Sequence, residues 1–88
     1  MIVTWKESAR DGLADVYTDG RSVTEQRALA ATVERIDRQL ADDPASLGEE
    51  RDPGYRTWFT GPLQIVFYLV PGGGVKVVAC GHNPPRRQ

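Results

Sequence analysis

Residues 48–83 read GEERDPGYRTWFTGPLQIVFYLVPGGGVKVVACGHN and decide the fold. The stretch contains three strand-like runs, at 55–60 (YRTWFT), 63–70 (LQIVFYLV) and 75–80 (VKVVAC). Turn sequences separate these runs, first GP and then PGGG, which is the pattern of consecutive β-hairpins. We therefore predict a meander of three antiparallel strands.

The run at 63–70 is the most apolar part of this meander, because only Gln64 and Tyr68 carry polar groups. Such a run is typical of a strand at the centre of a sheet, and we expect it to be buried on most of both faces. The last strand leads into the single cysteine and the single histidine of the chain, Cys80 and His82, which are expected at one end of the sheet.

The first part of the chain predicts a strand at 2–5 followed by a helix. Ser8 is a candidate N-cap for this helix, which is expected to end near Asp19. Gly12 should weaken it by about 1 kcal/mol relative to alanine.

A second helix is predicted from a capping box, in which Ser22 is followed three residues later by Glu25. Apolar residues recur at helical spacing until about Ala41, where the sequence DDP stops the helix. Residues 44–54 are predicted to form a charged loop, and residues 84–88 a flexible tail.

Together these elements predict an α+β domain over residues 1–83, in the order β-α-α-β-β-β. Two helices should pack on one face of a mainly antiparallel, four-stranded sheet. A length of 88 residues allows a single modest core.

Composition narrows the classes of function. A net charge of −1 gives no general attraction to nucleic acid, so contact with RNA or DNA would need a local basic patch. No apolar run approaches the ~20 residues of a membrane helix and no secretion signal is present, so we expect a cytoplasmic protein with no membrane contact. With one cysteine and one histidine, we expect neither a disulfide, nor a metal site, nor a cofactor.

Four stretches of the sequence resemble the RelE/ParE superfamily, the toxins of bacterial type II toxin–antitoxin pairs. They are IVTWKESARDGLADVY, EQRALAATVERIDRQLADDP, GEERDPGYR and GPLQIVFYLVPGGGVKVVACGHN, and they cover nearly the whole chain. The resemblance implies a cognate antitoxin as partner. Such antitoxins wrap an extended or helical segment around the toxin, and the exposed edges of so small a sheet can also support a homodimer.

The resemblance implies two activities. RelE-like members cleave mRNA on the ribosome, a reaction in which the ribose 2′-hydroxyl attacks the adjacent phosphate and which requires a base, an acid and cations. ParE-like members inhibit DNA gyrase without acting as enzymes. A third interpretation is a catalytically inactive domain that only binds its antitoxin.

The endoribonuclease interpretation assigns catalytic roles to three residues. His82 follows the last strand, where members with a catalytic histidine carry it, and Arg51 and Arg56 flank the second strand as candidate phosphate contacts. Their alternative roles are a structural histidine and arginines paired with nearby carboxylates. Lys6 and Lys76 could extend a positive surface. On these residues we favour translation inhibition by mRNA cleavage.

Three further expectations concern the same region. Many family members carry an arginine in a G-x-x-R pattern after the turn between the second and third strands, where this chain has Gln64. Glutamine brings no charge to a phosphate, which weighs against cleavage. Cys80 is predicted to be a core residue. The aromatic residues are predicted to pack rather than to stack on bases, namely Trp5, Tyr55, Trp58 and Phe59.

Overall fold

A computed structural model describes residues 1–84. Its elements are β1 (Val3–Trp5), α1 (Glu7–Thr18), α2 (Val23–Asp42), a 3₁₀ turn (Pro44–Ser46), β2 (Glu49–Asp52), β3 (Tyr55–Thr60), β4 (Leu63–Leu69) and β5 (Val75–His82). The predicted α+β class, the two helices and the meander are confirmed. The expected tail at 84–88 lies outside the described residues except for Pro84.

The sheet has five strands in the order β1-β5-β4-β3-β2, so the prediction of four was wrong by one. The additional strand is β2, within the segment predicted to be a loop. Its sequence EERD is charged and exposed throughout and therefore shows none of the alternation that indicates a strand. Pairing with β3 forms it, and its charges suit an edge strand because they discourage pairing with another chain.

Strands β2 to β5 pair antiparallel with their neighbours, whereas β1 pairs parallel to β5 at the opposite edge. The meander therefore forms the body of the sheet, with β4 at its centre. Both helices lie on one face. Trp5 of β1 donates its indole N–H to Asp37 of α2 at 2.7 Å, and Arg35 of α2 donates to the Thr60 hydroxyl of β3 at 2.9 Å, so α2 is tied to two strands.

The two faces of the sheet differ sharply. Leu63, Ile65 and Phe67 of β4 are fully buried on the face beneath the helices, which we call the helix-covered face. Gln64, Val66 and Tyr68 alternate with them and point to the other side, the open face. The expectation that β4 is buried on most of both faces is met in full only on the helix-covered face; the open-face residues of β4 are half-buried, because both helices pack on the other side.

Buried apolar residues from four elements fill the space between the helices and the sheet. They are Ala9, Val16, Leu29, Ile36, Leu40, Leu63, Ile65, Phe67, Val75 and Val77. Trp5, Trp58 and Cys80 are partly buried and pack against this core, as predicted. No helix within residues 1–84 is long and apolar enough to cross a membrane.

The two helix starts differ. The Ser22–Glu25 capping box is confirmed, and the hydrogen bonds that the Glu25 carboxylate makes with the Ser22 backbone and hydroxyl lower its pKa. Ser8 is not the N-cap of α1. It lies inside the helix, and its hydroxyl donates to the Val78 carbonyl at 2.7 Å, so it binds α1 to β5 instead.

Candidate functional site

His82 lies on the helix-covered face at the end of β5, where it pairs with Leu63. Its Nε2 atom is 3.0 Å from Oδ2 of Asp19, the residue that caps the C-terminal end of α1, and 18% of its side chain is exposed. The imidazole therefore connects the end of β5 to the end of α1, which corresponds to the structural alternative considered for this residue.

Arg56 also lies on the helix-covered side, because it pairs with Phe67. Its Nε donates to the Leu47 carbonyl at 2.8 Å and its Nη2 donates to the Gly48 carbonyl at 2.9 Å. The partly buried guanidinium thus holds the segment that leads into β2. Its partners are backbone carbonyl oxygens rather than the carboxylates considered as the alternative.

Arg51 lies on the opposite side of the sheet. Its guanidinium carbon is 5.2 Å from the centroid of the Phe59 ring, and both residues are exposed on the open face. A cation above an aromatic face is attracted by the ring quadrupole, by about 0.5–1 kcal/mol at an exposed site.

The structure does not bring the three predicted catalytic residues together. The partners of His82 and Arg56 on β4 are four residues apart, and two strand spacings separate β5 from β3. With ~3.3 Å per residue and ~4.8 Å between strands, their Cα atoms are about 16 Å apart, and Arg51 is on the other face. No pocket forms among residues 1–84. Catalysis by His82, Arg51 and Arg56 stays a prediction from the resemblance.

The open face instead assembles a different set of side chains, arranged in three rows across β3, β4 and β5. The first row is Tyr55, Tyr68 and Lys76, the middle row is Thr57, Val66 and Ala79, and the third row is Phe59, Gln64 and Gly81. Positive charge and aromatic rings occur in the outer rows, whereas the middle row is uncharged.

The first row and the adjacent Lys6 together bring two lysines and two tyrosines to one end of the open face. Lys6, which follows β1, places its Nζ 5.9 Å from the centroid of the Tyr68 ring, and Lys76 pairs directly with Tyr68. The rings of Tyr55 and Tyr68 meet edge to face at 5.7 Å. The lysines named as an extension of a positive surface therefore lie on the same side as Arg51.

The third row holds the other cation and one hydrogen-bonding group. Phe59, 40% exposed, lies beneath the Arg51 guanidinium, and Gln64 pairs with Phe59. Glu49 pairs with Thr57 and so brings a carboxylate to the same face at the edge of the sheet. Tyr55 and Phe59 were predicted to pack in the core or on the sheet face. Both lie on the open face, where the Tyr55 ring contacts Tyr68, and they are 42% and 40% exposed.

Cys80 contributes no nucleophile to this face. It pairs with Ile65 on the helix-covered side, and burial raises the pKa of its thiol to about 11. The thiolate needed for nucleophilic attack is therefore scarce at neutral pH. Residues 1–84 contain no group of three or more His, Cys, Asp or Glu side chains placed to hold a metal ion.

No protein-family model and no curated protein matches the sequence. Solved structures match the fold, and two of them come from toxin–antitoxin complexes. A chain of the toxin–antitoxin complex RelBE2 from Mycobacterium tuberculosis has a TM-score of 0.71 and 21% identity, covering 92% of this chain and 95% of that chain. A chain of the chromosomal ParDE toxin–antitoxin system from P. aeruginosa has a TM-score of 0.64 and 18% identity, covering 93% and 95%. This chain therefore shares its fold with the matching chains of these two toxin–antitoxin complexes.

Proposed function

We propose that this chain is the toxin component of a type II toxin–antitoxin pair and binds a cognate antitoxin protein in the cytoplasm. The observation that carries the proposal is the extent of the shared fold. The two similar structures are toxin–antitoxin complexes, and the likeness covers 95% of each matching chain as well as nearly all of this one.

We further propose that the toxin acts by binding its target, without cleaving RNA. Cleavage requires a base, an acid and cations around one phosphate. His82 and Arg56 are about 16 Å apart, by strand geometry, and each has a partner within the fold. Gln64 supplies no charge on the open face. DNA gyrase is the target that the family resemblance offers for a non-enzymatic toxin.

Ribosome-dependent mRNA cleavage is the second candidate, because one observation favours it. On the open face Lys6 lies over the half-buried Tyr68 ring and Arg51 over the exposed Phe59 ring. Such combinations of cations and aromatic rings bind single-stranded RNA elsewhere. On this interpretation the open face holds the RNA, and the catalytic roles pass to groups other than the separated His82 and Arg56.

Induced expression separates these candidates. Growth, bulk translation, plasmid supercoiling and mRNA cleavage by primer extension are measured with and without the protein encoded by the adjacent reading frame. Lys76→Glu changes the open face, and Arg38→Glu makes the same charge change on the exposed surface of α2 as a matched control. His82→Asn tests the catalytic histidine.

The proposal expects growth arrest with altered supercoiling and intact mRNA, relieved by the neighbouring protein, which should co-purify with the toxin. His82→Asn should remain toxic. Cleaved mRNA in the wild type would replace the non-enzymatic mechanism with the nuclease. Loss of that cleavage in folded His82→Asn would in addition assign a catalytic role to His82, and retained cleavage would assign catalysis to other groups. Failure to find any protein partner would overturn the toxin–antitoxin assignment itself.

A further inference from the structure

We propose that the open face binds an extended, acidic segment of a partner protein. The segment carries carboxylates at positions i and i+4 and an apolar residue at i+2. One carboxylate binds Lys6 and Lys76 in the first row, and the other binds Arg51 in the third. The inference rests on the proposed function only for the identity of the partner, which would be the antitoxin.

The spacing of the rows determines this pattern. Gln64 in the third row and Tyr68 in the first are four residues apart on β4, which is about 13 Å at ~3.3 Å per residue. An extended peptide that runs along the strands covers the same distance between positions i and i+4. Because side chains of an extended chain alternate, its i and i+4 side chains point to the same surface, together with i+2.

The middle row suits an apolar side chain at position i+2. Thr57, Val66 and Ala79 form an uncharged row on β3, β4 and β5 between the two cationic ends, and Glu49 lies beside Thr57 on the edge strand β2. Ala79 and Gly81 have the shortest side chains of β5, and a methyl group built on Gly81 would find no atom within 4 Å. The β5 side of the open face therefore leaves room for the backbone of a peptide.

The charges favour a peptide over a nucleic acid. Single-stranded nucleic acid carries a phosphate at every nucleotide and binds along a continuous cationic groove. Here the cations are confined to the two ends, and Gln64 stands in the third row. Glu49 and Asp52 pair with Thr57 and Tyr55 and bring negative charge to the edge of the same face. Two separate carboxylates match this arrangement better than a row of phosphates.

The remaining residues of this chain do not supply the occupant. Residues 85–88 read PRRQ and contain no acidic side chain. These four residues therefore do not provide the two carboxylates.

The test measures binding of a fluorescein-labelled, end-blocked peptide GETVTEG by fluorescence anisotropy. Two control peptides are GQTVTQG, which lacks the carboxylates, and GEETVTG, which has the same composition but adjacent carboxylates. Labelled oligouridylate of similar length tests a nucleic acid. Lys6→Gln, Lys76→Gln and Arg51→Gln alter the open face, while Arg38→Gln on α2 is the matched control.

We expect saturable binding of GETVTEG that is weakened by added salt. Each of the three open-face substitutions should raise Kd about two- to fivefold, as for removal of one exposed charge pair, and the Lys6→Gln, Lys76→Gln double variant should raise it further. Arg38→Gln should leave Kd unchanged. Circular dichroism of every variant checks that the fold is retained.

Three results of the anisotropy measurements would overturn the inference. The first is tighter binding of oligouridylate than of GETVTEG, which would assign the face to nucleic acid. The second is equal binding of GEETVTG, and the third is an equal loss in Arg38→Gln; both would indicate non-specific charge attraction. If the antitoxin binds wild type and a Lys76→Glu, Arg51→Glu variant equally, this inference fails while the proposed function stands. If no antitoxin binds wild type, the proposed function fails independently of the peptide result.

Discussion

Alternate residues of the same strands form the two faces of the sheet: one face packs into the core, and the other carries the candidate binding surface. On β4, Ile65 and Phe67 are fully buried against the helices, whereas Val66 and Tyr68 between them belong to the open face. A slip of one residue would exchange the two sets. The register that stabilises the fold is therefore the same register that displays the candidate binding surface.

The two arginines show how strongly the face decides the role of a side chain. Arg56 points to the helix-covered side and is held by two backbone carbonyls, while Arg51 on the neighbouring strand lies over Phe59 in solvent. Both looked like phosphate contacts in the sequence. The face they occupy gives Arg56 a structural role and leaves Arg51 free to meet a ligand.

The largest expected difference in stability between the two faces is that between alanine substitutions of two phenylalanines, one on each face. Phe67→Ala on the helix-covered face should lower the free energy of unfolding by about 3–5 kcal/mol, because the substitution leaves a cavity in the core. Phe59→Ala removes a ring that is 40% exposed and should cost about 1 kcal/mol or less. Urea denaturation followed by circular dichroism measures both. Equal losses would show that the open face also serves as a core.

A second comparison uses two glycines. A methyl group on Gly12 of α1 would overlap the Cys80 carbonyl oxygen of β5, whereas one on Gly81 would meet no atom. Gly12→Ala should therefore destabilise by about 3 kcal/mol despite the higher helix propensity of alanine, because α1 must move away from the sheet. Gly81→Ala should change stability little. Thermal denaturation of both variants tests this, and a stabilised Gly12→Ala protein would contradict the close approach.

The arginines provide the third comparison. Arg56→Ala should cost about 2 kcal/mol, because it removes two charge-assisted hydrogen bonds and leaves two carbonyl oxygens without these donors. Arg51→Ala should change stability by less than about 1 kcal/mol, since it loses only an exposed contact with a ring. Chemical denaturation measures the difference. Similar costs would mean that Arg51 also supports β2.

The elements that carry a periodic signal were predictable. Both helices and the three strands of the meander follow from apolar spacing, capping and turn residues. β2 was missed because the sequence EERD has no apolar alternation and becomes a strand only through its neighbour. Gly12 was interpreted as a local weakness, since the sequence cannot show that β5 crosses directly against it.

The position of the predicted site residue His82 was harder to predict, because one extra residue in β5 determines which face of the sheet the residues after it occupy. On β5, Val77 pairs with Phe67 and Ala79 with Val66, so Val78 is an inserted bulge residue. The bulge turns the following residues over and directs His82 toward the helices. Nothing in the run VKVVAC indicates this bulge. A reader of the sequence who does not know of the bulge cannot tell which face of the sheet carries His82.

The smallest expected effect tests the same bulge through pH. Burial on the helix-covered side raises the pKa of the Cys80 thiol from 9.0 to about 11. Between these values the unfolded chain has released a proton that the folded chain still holds, so the free energy of unfolding falls as pH rises through this window and is unaffected below it. Cys80→Ala should abolish this part of the decline, while tyrosines and lysines contribute equally to both proteins. Urea midpoints at about pH 8 and about pH 10 give the comparison. An identical decline in the variant would mean that the Cys80 thiol is not desolvated, which would contradict its position beneath the helices.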